Sequence, residues 1–174
     1  MKHLILLILF SLTSPVFSQE FKAWYFEFFT HPVIISGELD SPNEVEKLAF
    51  TGTRTGKLSA DKKSFIETSD YIYQPNTKHR VSIKWMKTEV ENTFTGEAKD
   101  TEGKIITYLL QIKNQTEFTF KSKNTRGWTA VQNGKLKADG KVYIDGIVHS
   151  EDEDVMFTAN YILSKKNEKA TEPE

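Results

Sequence analysis

The stretches 47–58, KLAFTGTRTGKL, and 64–73, SFIETSDYIY, decide the fold. In the first, one phase holds Leu48, Phe50, Gly52, Arg54 and Gly56; in the second, it holds Phe65, Glu67, Ser69, Tyr71 and Tyr73. Apolar residues at every second position mark strands with one buried face, because successive side chains leave a pleated sheet on opposite sides. The LSADKK between the two runs has the composition of a turn. Folding about Ala60 and Asp61 predicts a hairpin that pairs Phe50 with Tyr71, Arg54 with Glu67 and Gly56 with Phe65. A slip of one residue would turn Phe50 to the wrong face.

The same folding works along the chain. RVSIKW and NTFTGEA, turned about Glu89 and Val90, oppose Trp85 to Phe94. Turns at Thr101–Glu102 and Lys113–Asn114 oppose Phe94 to Leu109, and Leu109 to Phe118. A connection over Lys123–Thr125 brings Phe120 near Trp128, and the Asp139-Gly140 pair that hairpins favour sets Leu136 opposite Val142. In VHSEDEDVMF, folding about Glu151 and Asp152 sets Val148 opposite Val155. The four acids Glu151 to Asp154 therefore fall at a hairpin tip and read as a solvated turn. A calcium loop is the rival reading, but SEDED lacks the spacing and mid-loop glycine of the helix-loop-helix calcium motif.

These runs predict an all-β fold: an antiparallel up-and-down meander of about nine or ten strands closing into a lipocalin-like β-barrel. Closure pairs the edge strands and removes an aggregation hazard. The aromatics of the inward phase, Phe50, Tyr71, Trp85, Phe94, Phe118, Phe120, Trp128, Phe157 and Tyr161, either fill the barrel or line a cavity. Upstream, Val33 to Leu39 reads as an extra strand. Ala23 to Phe29 reads as a strand or a short plug helix over one barrel end, and periodicity does not choose between them.

The start, MKHLILLILFSLTSPVFS, combines Lys2, an apolar run from Leu4 to Phe10 and small residues near Ser18. It is read as a secretory leader over 1–18, since the apolar run is far shorter than the ~20 residues of a spanning helix. The expected organisation is a single barrel domain over 19–164 and a flexible charged tail over 165–174, with a periplasmic or secreted location. Without the leader the chain has 22 basic and 24 acidic residues, a balance that offers no strong pull on nucleic acid. There is no cysteine, which excludes disulfides, thiolate metal sites and a cysteine nucleophile.

The order of FEFF, VEKLAFTGTRTG, FIETSDYIY, HRVSIKWMKTEVENTFTGEAKDTEGK and RGWTAVQNGKL resembles a family of Gram-negative envelope proteins of unknown function. That resemblance spans nearly the whole chain after the leader and implies a lipocalin-like barrel and an envelope location. Many members of the family are lipoproteins, whereas this chain lacks the cysteine that would carry the lipid.

Arg54 and Glu67 are the notable polar residues, because they stand in a phase otherwise given to the core. One reading is a wet or structural pair. The other is a polar anchor for a ligand head group, with Tyr71, Trp85, Phe94 and Trp128 as the apolar wall. His31, His79 and His149 show no zinc spacing, there is no G-x-S-x-G elbow or phosphate-cradling loop, and Glu67 and Asp70 lie on opposite faces of one run. The expectation is a non-enzymatic protein without metal or cofactor whose partner is a small apolar or amphipathic molecule. The alternative is an envelope interaction module with a filled barrel.

Overall fold

A computed structural model describes residues 21–73, 77–99 and 103–166. The leader with its cleavage point, the Thr101–Glu102 tip and all but the first two residues of the charged tail lie outside the described residues. A short helix, α1 (Trp24–Phe29), precedes ten strands: β1 (Val33–Asp40), β2 (Leu48–Leu58), β3 (Phe65–Tyr73), β4 (Thr77–Lys87), β5 (Thr93–Lys99), β6 (Ile105–Ile112), β7 (Glu117–Lys123), β8 (Thr129–Leu136), β9 (Val142–His149) and β10 (Val155–Lys165). Each strand pairs antiparallel with its sequence neighbours, and β1 pairs with β10 to close the barrel. The predicted meander and its closure are therefore present. β10 reaches Lys165, the first residue of the stretch 165–174 expected as a flexible tail.

Inward and outward phases differ sharply in chemistry. On β3 the inward residues are Phe65, Glu67, Ser69, Tyr71 and Tyr73, while Thr68 and Asp70 face out. On β4, Arg80, Ser82 and Lys84 face out, against Ile83 and Trp85 within. An apolar inside and a charged outside invert the pattern of an outer-membrane barrel, whose lipid-facing side is apolar. Among the described residues no helix is long and apolar enough to cross a membrane.

Hairpin registers differ from the simple folding. Arg54 faces Ser69, and Glu67 faces Gly56, a shift of two residues that keeps both in the barrel interior. The β4–β5 and β9–β10 hairpins shift likewise, opposing Trp85 to Gly96 and Val148 to Phe157. In all three the cause is a turn set later than a central two-residue tip. Lys62, Asn92 and Glu153 take positive φ values of 57°, 53° and 66°, and a bulge between Val155 and Phe157 adds to the last. In the first turn the Asp61 carboxylate accepts from the Lys63 amide at 3.1 Å and from the Ser59 hydroxyl at 2.6 Å, which fixes the late position.

Two further corrections concern β6. Phe94 opposes Leu110, so Tyr108, Leu110 and Ile112 point inward, and Thr107 and Leu109 do not. The connection from Lys99 to Ile105 has an odd number of residues, which reverses the face. Phe118 opposes Ile112 because Asn114 builds a wider turn, its side-chain oxygen accepting from the amides of Thr116 and Glu117 at 2.8 and 2.9 Å. The Leu136–Val142 pairing about Asp139-Gly140 stands as expected. The acids Glu151 to Asp154 are an exposed tip, closed by the Ser150 amide donating to the Asp154 carbonyl at 2.8 Å.

The upstream aromatic segment is a helix inside the barrel, lying beside β2. Tyr25, Phe26 and Phe29 are each 1% exposed. No side chain caps α1 at Ala23, and its aromatic residues are weak helix formers. Six such residues would not hold a helix in water; burial of its rings against Phe65, Phe94 and Phe118 holds it. Trp24 fastens it to the β6–β7 turn, its Nε1–H donating to the Asn114 carbonyl at 2.9 Å.

Candidate functional site: a half-open barrel with a charged floor

Because α1 enters from one end, the barrel has two unlike halves. Around the helix the inward residues are sealed: Val33, Ile35, Trp85, Leu110, Val142 and Leu163 show no exposure. Toward the opposite end the inward residues Tyr71, Tyr73, Tyr108, Phe120 and Gln132 are only half-buried. This half, the cup, is the less tightly buried end of the barrel, and it is bounded on the inside by the α1-filled core.

Aromatic rings form two walls. On one side Phe50 lies 5.6 Å from Tyr73 and 5.7 Å from Tyr161, with Tyr71 at 6.0 Å. On the other, Tyr108 and Phe120 lie 5.2 Å apart, and Phe120 meets Trp85 edge-on at 5.7 Å. Trp85 rests over Gly96, where a Cβ would stand 2.7 Å from its ring, so only glycine admits the indole there.

Between floor and cup lies the charged pair. Glu67, 1% exposed, has one oxygen accepting from the Tyr25 hydroxyl at 2.8 Å and from the Trp85 Nε1–H at 3.2 Å. Arg54 Nε stands 3.5 Å from the other carboxylate oxygen, yet donates to the Ser69 hydroxyl at 2.9 Å, and Arg54 Nη2 donates to the Tyr71 hydroxyl at 2.9 Å. The guanidinium also lies 5.3 Å over the Phe29 ring. Every buried side-chain polar atom among the described residues has a partner, as a charged interior requires.

Burial, and then the neighbouring Glu67 carboxylate, push the Tyr25 hydroxyl well above the ordinary phenol range. Burial opposes the charge on Arg54, but Tyr71, Glu67 and Tyr161 outweigh it and hold the guanidinium firmly protonated. Burial likewise raises Tyr161, whose hydroxyl donates to the Gln132 side-chain oxygen at 2.7 Å.

Of the residues singled out in the sequence, Arg54, Glu67, Tyr71 and Trp85 meet in this cluster. Phe94 lies in the filled half, against Phe26 at 4.6 Å and Phe21 at 5.6 Å. Trp128 precedes β8 in the β7–β8 turn, its amide held by the Asn124 side chain at 3.0 Å, and Phe120 opposes Gln132 instead of approaching it. The residues that sequence reasoning did not place in the site are Tyr25, Ser69, Tyr108, Phe120, Gln132 and Tyr161. Gln132 had a readable signal, a polar residue in the inward phase of its strand. Tyr25 had none, since its partner Glu67 lies 42 residues away. Among the described residues no three His, Asp or Glu side chains are grouped to hold a metal ion.

No family model matches the sequence, and no curated protein does. Among solved structures the chain is similar to the S-type phycobiliprotein lyase of Guillardia theta, with a TM-score of 0.61 and 8% identity over 83% of this chain and 92% of that one. A protein of Nitrosomonas europaea described as a candidate AttH aligns at 13% identity over 79% of this chain and 52% of that chain, with a TM-score of 0.26. At such identities the likeness to the lyase is one of fold. It overturns the expectation of a non-enzymatic protein: the architecture found here is one that a lyase uses, so the barrel gives no ground for setting this chain apart from enzymes.

Proposed function

We propose that the chain is an envelope protein, exported by its leader as a single barrel domain, that takes up a small, partly apolar molecule in the open half of the barrel. One observation carries the reading: of the strand aromatics that point into the lumen, Phe65, Trp85, Phe94 and Phe118 at the α1 end are buried, whereas Tyr71, Tyr73, Tyr108 and Phe120 at the other are only half-buried. A barrel built solely as a scaffold would fill that end as α1 fills the other. Ligand sites are concave and mostly apolar, with a few placed polar groups, and the cup combines aromatic walls with the Arg54–Tyr71 pair at its floor. The resemblance to the envelope family and the leader-like start support the location.

Native mass spectrometry of the protein isolated from its own cells tests the reading. A small molecule lost on denaturation is the expected result, together with a mature chain beginning at Gln19. A chain that flies bare, and gains no mass when offered extracts of its own cells, would defeat the binding reading. It would favour the interaction module.

A further inference from the structure

The cup has a chemical polarity that narrows the ligand. Along β3 from the filled end come Glu67, Ser69, Tyr71 and Tyr73, so the guanidinium of Arg54 stands between the carboxylate and the lumen. Glu67 is served from the filled side by Tyr25 and Trp85, and it presents nothing to the cup. Among the described residues it is also the only acid in the inward phase of any strand; Glu38, Asp40, Asp70, Glu97, Glu117 and Asp145 all face out.

What remains at the floor are donors. Tyr71 accepts from Arg54, which leaves its own O–H to give. Gln132 accepts from Tyr161 through its side-chain oxygen, which turns its NH₂ group away from that bond. Gly146, opposite Gln132, makes room for this side chain, since a Cβ there would stand 2.8 Å from Gln132 Cγ. Arg54 gives N–H donors to Ser69 and Tyr71, is engaged by Tyr161 and Glu67 as well, and is 93% buried, so it acts on the cup chiefly through its positive charge. A cationic or donor-bearing group would meet like partners here. An anionic acceptor group would meet complementary ones, with the Phe50–Tyr73 and Tyr108–Phe120 ring pairs on the surrounding strands.

We infer that the ligand is a planar aromatic or conjugated organic acid, its anionic group on the Arg54, Tyr71 and Gln132 donors and its body between the Phe50–Tyr73 and Tyr108–Phe120 walls. This rests on the cup being a binding site, as proposed above. The test uses two fluorescent probes that share one ring skeleton, anilinonaphthalene sulfonate and the neutral phenylnaphthylamine, titrated into the wild type and Gln132→Glu. That variant keeps the acceptor for Tyr161 but replaces the NH₂ donor with a negative charge.

The sulfonate should bind the wild type about tenfold or more tighter than the neutral probe, the scale of one charge-assisted hydrogen bond. Gln132→Glu should abolish that preference, lowering sulfonate affinity far more than affinity for the neutral probe. Tyr71→Phe, which removes one hydroxyl and keeps the ring, should lower sulfonate affinity severalfold and guards against misfolding of the first variant. Equal binding of the two probes, or a preference untouched by both variants, overturns the acid and leaves the cup as a site for neutral molecules. No binding of either probe overturns both readings.

Discussion

At Glu67 a carboxylate is sealed in an aromatic interior, and its surroundings say what a substitution would do. Removing one partner of a buried pair leaves the other uncompensated, at a cost of about 3–5 kcal/mol. Glu67→Ala should lose stability on that scale in urea unfolding, because Arg54 would keep its charge without the carboxylate at 3.5 Å. Replacing both charges, as Arg54→Met with Glu67→Leu, should recover the part of the loss due to the uncompensated guanidinium, while the Tyr25 hydroxyl and Trp85 N–H lose their acceptor in either variant. If the double variant is no more stable than Glu67→Ala alone, the pair is not the unit described. Gly96→Ala makes the complementary point: the added methyl would force Trp85 from its seat, and overpacking of this kind costs about 1–3 kcal/mol.

At the scale of elements, α1 depends on burial. It has no side-chain cap and too few residues to persist alone, so its existence measures how well its rings fit the barrel. Phe26 touches Phe21, Phe65 and Phe94 at centroid distances of 4.6 to 4.9 Å. Phe26→Ala should cost about 3–5 kcal/mol by opening a cavity in the filled half. Amide exchange should then speed up in α1 and at the starts of β3 and β5 before the cup end responds. Uniform acceleration across all ten strands would show instead that α1 and barrel unfold as one unit.

For the whole molecule, pH dependence follows from its buried phenols. Burial raises Tyr25, Tyr108 and Tyr161, and burial with Tyr71 raises Tyr73 to about 12. Folding therefore favours the neutral phenol. The stability so contributed is complete below the ordinary phenol value of about 10 and falls as pH rises through 10 toward 12, because the unfolded chain ionises first. The urea midpoint should accordingly drop between about pH 9 and pH 11.5, while phenolate absorbance of the folded protein lags that of the denatured chain. A flat midpoint across that window would contradict the burial of these hydroxyls.

Alternation alone determined the all-β meander, its closure, and the inward phase of nearly every strand, because strand period is local and one wrong residue inverts a face. It also brought Arg54, Glu67, Tyr71 and Trp85 onto one interior. Registers were decided elsewhere, by where in each turn a residue such as Lys62 or Asn92 takes positive φ, and by an odd connection that turned Tyr108 inward in place of Thr107. Only the tertiary structure showed that the two ends of the barrel differ in burial. An aromatic segment with no decisive period became a helix because the lumen could bury it. It is long enough to fill one half, and the tyrosines of the other half stay only half-buried. Whether a side chain fills space or borders it depends on what comes to lie beside it, and in a barrel those neighbours lie strands apart in the chain.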